Sequence, residues 1–555
     1  MKKLLILGAN SKQIQLILAA KAEGYYVIVC DYTDDNSGIP LADKHYKVSY
    51  LDRETVLSIA QKEHIDGIIG NSDPAMPVVA YIAAQMGLVG NTPESINKFV
   101  SKTEFRQLQE CAGLYCPKHI ESNDSSKAEA DLDSFHYPII VKPSESAGSQ
   151  GTTKIYNNQT ERFREAFKTC KELSRNGKVT VEEYVEMPSL EVIEGDIFVM
   201  GDDILWHGLF TTRRSMMAPM IPMTDIFPAI VSQDELSIIK DKISKIFKEA
   251  GIRHGEYNIE LYFTNTQELF VIEINPRQGG NRITQLIQLH TGFDYNKLLV
   301  TTAVGDNGYF ETIKNSNPEN NYNTLHMVFS NFSGILDHFE CHPDIQKHIT
   351  DIEFNKKPGT MVSQRHNATD YIAYVTMQFP DRKSQLSYSR DQIEQLIFPV
   401  VKDKEIPLSD CTLPYQIIYD FMTGDAYEFF VPKLQKVGRT PEDYAEQFSM
   451  HSTIAYDLDE QGHITGMVAG YLRNLIIPEW SYIAEVYVNS DQRRNGLGEK
   501  LLTRYIDYCK STGMKGVWLK VREENTSAQR LYKKIGFVFD ETYNDNGNLK
   551  MDLKF

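Results

Sequence analysis

No apolar run in the 555-residue sequence approaches the roughly 20 consecutive residues that a membrane-spanning helix needs. A targeting segment is not legible either. The apolar stretches between Met1 and Asp31 are broken by Lys12, Gln13, Gln15, Lys21 and Glu23, and no small-residue cleavage site follows. Cysteine is sparse: Cys30, Cys111, Cys116, Cys170, Cys341, Cys411 and Cys509 are scattered, odd in number and never paired as Cys-x-x-Cys. That argues against a zinc site or a disulfide framework, and the expected compartment is the reducing cytoplasm. Positive charge is short as well, with 58 Lys and Arg against 75 Asp and Glu and a net charge of −17. Bulk binding to nucleic acid needs a basic surface, so no nucleic acid and no membrane are expected as partners; an anionic cofactor needs only a few local cations.

What remains, 41% hydrophobic and 24% charged, is an ordinary globular composition, long enough for two to four domains. The first stretch alternates strands and helices: Lys3–Leu7, then Gln13–Ala22, Tyr26–Cys30, Arg53–Glu63 and Gly67–Gly70. This rhythm predicts a parallel sheet covered by helices. The turn Gly8-Ala9-Asn10-Ser11 lacks the second and third glycines of a dinucleotide fingerprint. Despite Asp31 at a suggestive position, a scaffold or substrate-side domain is expected here. Beyond residue 97 the pattern predicts a helix at Lys102–Gly113, strands at Tyr137–Val141 and Val179–Val185, and a helix at Gln233–Ala250. Residues 306–324 are polar and Asn-rich and read as a surface connection. Tyr371–Gln378 reads as a strand, and a last unit begins near Pro414.

Glu256–Asn275 reads as a β-hairpin. Period-two alternation puts Asn258 and Glu260 on one face, and Glu273 and Asn275 on one face of the return strand. If the chain folds between Thr266 and Gln267, Glu260 lies directly opposite Glu273. Like charges so placed repel unless a cation lies between them, and two carboxylates with an amide suit Mg²⁺. A solvated outer face of a hairpin is the alternative. The continuation Pro276-Arg277-Gln278-Gly279-Gly280 favours a site, because an arginine clamps anions and glycines allow close backbone approach. Ahead of it, Ile139-Ile140-Val141-Lys142-Pro143 ends an apolar strand in a lysine. The small-residue loop that follows, with Ser146, Gly148 and Gly151, offers backbone N–H groups to phosphate oxygens without being a P-loop.

In this order, Ser101-Lys102, Ile140–Pro143, Val181-Glu182-Glu183-Tyr184-Val185 and Glu273-Ile274-Asn275-Pro276-Arg277 resemble the ATP-grasp superfamily, in particular its carbamoyl-phosphate-synthase-like and amino-acid ligase branch. The resemblance covers about residues 1–400. It implies that Lys102 and Lys142 contact ATP phosphates, that Glu182, Glu183 and Val185 belong to an adenine-binding hinge, and that Glu191 holds the ribose. It further implies Mg²⁺ coordination by Glu260, Glu273 and Asn275, and an acyl phosphate steadied by Arg277. Arg213 and Arg214 are candidates for gripping a substrate carboxylate, with surface arginines as the alternative.

Near the C-terminus, the strand Tyr482–Val488 is expected to place Ile483, Glu485 and Tyr487 on one face. Arg493-Arg494-Asn495-Gly496-Leu497-Gly498 then opens an amphipathic helix, whose N-terminal glycines and dipole favour an anion. With the strand Gly516–Val521, Asn525 and the Tyr532–Phe537 segment, this stretch resembles the GNAT N-acetyltransferase family over about 414–555. The resemblance implies that Arg493, Arg494, Gly496 and Gly498 bind the pyrophosphate of acetyl-CoA and that Asn525 seats its arm. It also implies that Tyr532 protonates the departing thiolate. Glu485 is the candidate general base.

The expected fold class is therefore multidomain α/β and α+β: a pre-ATP-grasp parallel-sheet domain (1–97), an ATP-grasp domain (98–310), a C-terminal part of the ligase module (311–405) and a GNAT domain (410–555). The expected function is a bifunctional enzyme. One part is an ATP- and Mg²⁺-dependent carboxylate–amine ligase, the other an acetyl-CoA-dependent N-acetyltransferase, both on small molecules; homo-oligomerisation is left open. The alternatives are a nucleotide-regulated protein-lysine acetyltransferase with a non-catalytic ATP-grasp module, and a nucleotide sensor.

Overall fold

The computed structural model describes residues 1–145, 151–155, 160–214, 221–280, 282–319, 321–365, 368–388, 390–403, 408–410, 415–424, 426–436, 439–459, 463–472, 479–541, 543 and 547–555. By its contacts the chain divides into two units. One unit comprises Met1–Arg213, Thr224–Leu325 and Met377–Ser387; the other comprises Arg214–Met223, His326–Thr376 and Tyr388–Phe555. Among the described residues, no helix is long and apolar enough to cross a membrane. The six described cysteines are free.

In the first unit the strands β1 (Lys3–Leu7), β2 (Tyr26–Asp31), β3 (Lys44–Lys47) and β4 (Gly67–Gly70) form a parallel sheet of order β3-β2-β1-β4. The turn after β1 is tied down by Asp31, which accepts from Ala9 N (2.8 Å) and Asn36 Nδ2 (2.8 Å) and is buried. That carboxylate serves the turn itself, as a scaffold domain requires. A four-stranded antiparallel sheet follows, of order β5 (His119–Ser122), β8 (Val179–Glu183), β6 (Ile139–Pro143), β7 (Thr153–Ile155). A second antiparallel sheet contains, in order, β13 (Leu269–Asn275), β12 (His254–Phe263), β9 (Glu191–Met200), β10 (Asp203–Arg214) and β11 (Pro222–Phe227). One face of it is apolar because alternate residues are: Ile193, Ile197, Tyr257, Ile259 and Ile274 pack with Ile239, Ile243 and Ile246 of the helix Gln233–Ala250. Each such side chain contributes about 1.5–3 kcal/mol by burial. Ser232 and Glu235 close that helix with a capping box, and Gly251 ends it in the left-handed region. The polar face opposite carries the carboxylates. The stretch 306–324, expected to be a plain connection, contains the helix Gly308–Lys314, because Phe310 and Ile313 are buried.

In the second unit a seven-stranded sheet holds, in order, Leu408–Asp410, Thr453–Leu458, Ile464–Tyr471, Trp480–Val488, Gly516–Arg522, Asn548–Lys554 and Val538–Phe539. Only one neighbouring pair of known direction, Trp480–Ile483 with Gly516–Leu519, is parallel. The pairing runs as far as Ile483↔Leu519, although both strands continue. Phe332, Leu336, Val362, Ile372 and Val401 share one apolar cluster with Phe421, Phe430, Phe448, Tyr456 and Tyr487. These five residues from before Pro414 are thus built into the same core as the C-terminal sheet.

Candidate active sites

Strands β12 and β13 pair with Asn258↔Asn275, Ile259↔Ile274 and Glu260↔Glu273, so the two carboxylates do face each other. The register then slips by one, to Leu261↔Val271, leaving Ile272 as a bulge. On its other edge β12 pairs Glu260 with Glu194 of β9. Three carboxylates therefore lie in a row across three strands. Asn275 Nδ2 donates to Glu273 Oε1 at 3.0 Å. A hard-oxygen set of two facing carboxylates and an amide fits Mg²⁺.

The lysines converge on this hairpin through a buried arginine. Lys102, Arg106 and Gln109 stand at i, i+4 and i+7 on the helix Lys102–Cys111, one stripe of it. Arg106, 2% exposed, donates to Glu182 twice (3.0 and 3.2 Å), to Val271 O (3.1 Å) and to Ile272 O (3.2 Å). Gln109 Nε2 adds a bond to Val271 O at 2.8 Å. The carbonyls at the bulge are thereby satisfied. Glu182 also accepts from Lys142. Burial alone would raise the Glu182 carboxyl, but Arg106 and Lys142 hold it far below the usual range. Burial pushes Lys142 down to about 8, with Glu182 opposing the fall. Lys102 is likewise lowered by burial, against the pull of Glu273 and Glu182.

The remaining ligase residues fall as follows. Glu182, expected in the hinge, has its side chain engaged by Arg106 and Lys142 and its backbone within the sheet, paired with His119 on one edge and Ile140 on the other. Glu183 accepts from His136 N (2.9 Å), and Val185 O from Tyr262 (2.6 Å). Glu191 pairs with Arg213, Nε to Oε1 at 2.7 Å, so each of these two is the other's partner. Arg214 is buried. Arg277 is held by Asp73 (2.9 and 3.4 Å) and by Gln278 O (2.9 Å). Gly151 takes φ +75°. Ser146 and Gly148 lie outside the described residues.

Sequence reasoning passed over Asp73, Arg106, Asp196, Glu256, Glu194 and Asp225. Asp196 and Glu256 are buried neighbours. Burial, and then the Asp196 charge, push the Glu256 carboxyl far above the carboxylate range, while its Oε2 accepts from Gln278 Nε2 at 2.9 Å. Asp196 accepts the Gly279 N–H on both oxygens (2.9 Å each) and Asn258 Nδ2 (3.0 Å). A Cβ at Gly279 would stand 2.7 Å from Asn258 Nδ2 and 2.8 Å from Asp196 Oδ1, so only glycine fits there; at Gly280 the space is open. Asp225, bonded by Thr212 at 2.8 Å, is raised by burial and then by Glu194.

In the second unit the expected alternation fails at a bulge. Ala469 pairs with Glu485 but Gly470 with Ile483, so Ala484 is extra. Ile483 packs with Leu501, Leu502 and Val517, whereas Tyr487 joins Phe421 and Phe430. Glu485 and Tyr487 therefore share a face and Ile483 does not. Glu485 contacts Lys433 Nζ (3.1 Å) and accepts from Tyr444 (3.3 Å); burial raises its carboxyl despite Lys433. Burial, then the Glu485 charge, raise Tyr532 too. Arg494 and Gly496 take φ +70° and +82°, turning the chain into the helix Leu497–Ser511, while Arg493 Nε bonds Val488 O at 2.9 Å. Gly498 lies in the first turn. Asn525 caps the helix Thr526–Ile535 through Ala528 N at 3.1 Å, a structural duty for a residue expected at the cofactor arm.

Two stretches of the chain match known protein families. Residues 135–285 match the ATP-grasp domain and residues 418–537 the acetyltransferase (GNAT) family. The chain thus joins an ATP-grasp ligase fold to a GNAT domain, two families of enzymes that form C–N bonds with ATP and Mg²⁺ and transfer acyl groups from acetyl-CoA. An uncharacterized protein, y4rH of Sinorhizobium fredii, is 24% identical over 324 residues, covering 58% of this chain and 65% of that one. The carbamoyl phosphate synthase large chain of Campylobacter jejuni is 26% identical over 280 residues, 48% of this chain but 24% of its own length. Among solved structures, an L-amino acid ligase from Bacillus licheniformis superposes with TM-score 0.60 at 16% identity, covering 73% of this chain and 99% of the ligase. Phosphoribosylglycinamide synthetase from Anaerococcus prevotii gives 0.55 at 20%, covering 72% and 100%. These likenesses establish the fold.

Proposed function

We propose that the chain is bifunctional, its ATP-grasp site ligating a small carboxylate to an amine and its GNAT site acetylating an amino group. The observation that carries the ligase reading is the pairing of Glu260 with Glu273 beside Asn275, with Lys102 buried close enough to feel Glu273. Glu260, Glu273 and Asn275 would hold Mg²⁺, which supplies charge neutralisation to the phosphates. Lys102, Lys142 and the loop bearing Ser146, Gly148 and Gly151 take the phosphate oxygens. Glu182, Glu183 and Val185 lie along the adenine hinge, where Glu182 holds Lys142. Glu191 takes the ribose once Arg213 yields it. The substrate carboxylate attacks the γ-phosphorus, ADP leaves, and an amine displaces phosphate from the acyl phosphate. Arg277, steadied by Asp73, neutralises the acyl phosphate. Positioning and charge carry this reaction without a covalent enzyme intermediate.

In the GNAT site, Glu485 accepts a proton from the acceptor ammonium, and the amine attacks the thioester. Tyr532 protonates the thiolate. Arg493, Arg494, Gly496 and Gly498 hold the pyrophosphate at a helix N-terminus. The strand edge beyond Ile483 is where the amide-bearing arm is read.

The test is ADP and phosphate release from Mg-ATP across a panel of amino acids and small carboxylates with amines, comparing wild type with Glu273→Ala. Release that needs both acid and amine and is lost in the variant supports the ligase. Tight nucleotide binding with no turnover on any pair would refute it in favour of a nucleotide sensor.

A further inference from the structure

We propose that Lys433 occupies the acceptor-ammonium position of the acetyltransferase and is itself acetylated there, a self-modification that opens the site to external amines. The proposal rests on the reading of Glu485 as the base. Its support is geometric. Lys433 Nζ lies 3.1 Å from Glu485 Oε2 and 3.6 Å from the centre of the Phe429 ring. Tyr444 donates to the other carboxylate oxygen at 3.3 Å. A carboxylate, an aromatic face and a polar hydroxyl around one primary ammonium are what an acceptor site for a protonated amine has to provide.

The arrangement follows from the sequence of the helix Tyr427–Lys436. Phe429 and Lys433 are four residues apart and share a face, so the lysine lies back over the ring. Tyr444, from the helix Pro441–His451, is fixed by Phe448 at 4.6 Å between ring centres. The Ala484 bulge turns Glu485 toward these side chains. Glu485 is 13% exposed and Lys433 44%, so the base is enclosed while the lysine reaches it from solvent. An external amine has to displace Lys433 before it meets the base.

The chemistry balances with acetyl-CoA alone. The Lys433 ammonium gives one proton to Glu485, and the freed lone pair attacks the thioester carbonyl carbon. As the tetrahedral adduct collapses, the C–S bond breaks and the thiolate takes a proton from Tyr532, which regains one from the nitrogen. The products are Nζ-acetyl-Lys433, the free thiol of CoA and one proton released from Glu485 to solvent. The amide carries no charge, so the ion pair to Glu485 is gone and the carboxylate is free for a soluble ammonium.

The experiment incubates the full chain with acetyl-CoA and no added amine, then maps acetylation by mass spectrometry over time. Lys436, exposed on the same helix, reports non-enzymatic labelling. Lys433 is expected to label about a hundredfold faster than Lys436, with the preference abolished in Glu485→Gln. Equal labelling of the two lysines, while a panel of primary amines still releases CoA thiol, would overturn self-acetylation and leave the acetyltransferase reading intact. No thiol release from either source overturns that reading itself. Lys433→Ala is expected to raise kcat/KM for free amines about two- to fivefold, since one partly exposed ion pair is removed, with the folded fraction unchanged. An unchanged kcat/KM overturns the blocking role.

Discussion

Replacing Arg106 by methionine keeps roughly the side-chain volume but removes a cation that touches both the lysine strand and the carboxylate hairpin. In the folded protein Arg106 makes two bonds to Glu182 and one each to the carbonyls of Val271 and Ile272. Its loss leaves Glu182, 4% exposed, bonded to Lys142 alone of the two cations that gripped it, and strips a donor from the bulge. Breaking one side of a buried pair costs about 3–5 kcal/mol. Hydrogen exchange of the amides in Leu269–Asn275 reads this locally, and should accelerate by about two to three and a half orders of magnitude. Adding Glu182→Gln removes the stranded charge. Lys142, already pushed to about 8, can shed its proton in response. The double variant should therefore recover part of the loss, with a coupling of about 1–3 kcal/mol. Strictly additive losses, or exchange unchanged in Arg106→Met, would refute the claim that this arginine ties the two elements together.

Four further outcomes are expected. Lys142 is charged below about pH 8 and neutral above it, so affinity for Mg-ADP should fall as pH rises through 8, and a titration of Lys142→Met should be flat there. For stability the sign is opposite, because a lowered lysine is a buried ammonium whose cost fades as pH rises from about 8 toward the ordinary lysine value; a thermal melt series across that window checks it. Gly279→Ala places a methyl 2.4 Å from Ile283 Cδ1 and under 3 Å from Asp196, and should cost about 1–3 kcal/mol and weaken the hold on Arg277, measured by urea unfolding and by KM for the carboxylate. Acetyl transfer should rise with pH along a limb set above the ordinary carboxylate range, because burial raises Glu485, and that limb should vanish in Glu485→Gln.

Local pattern carried a good deal of this. The strands Lys3–Leu7 and Gly67–Gly70 and the helices Arg53–Glu63 and Gln233–Ala250 are where periodicity put them. The facing of Glu260 and Glu273 was legible for a less direct reason. The turn is a tight one in which Gln267 takes φ +62°, one residue off the expected fold, and the Ile272 bulge restores the register before Glu260 is reached. At Glu485 the same kind of bulge worked against the reading and moved Ile483 to the other face. Neither bulge has a marker in the residues that form it.

Alternation, capping residues and glycine turns are properties of neighbours along the chain, so the sequence by itself determined the elements, their apolar faces and the residue types at each site. Arg106 meets Glu182 76 residues away and Val271 165 away, and Arg277 meets Asp73 204 away. Asp196 acts on Glu256 only because β9 and β12 are adjacent. Which strands neighbour each other, where a ladder slips by one residue, and whether a buried charge finds its partner are set by the packing of the whole unit. Tertiary structure therefore decided which of the charged residues are engaged with one another, which glycine has no room for a side chain, and that Glu485 is already facing an ammonium.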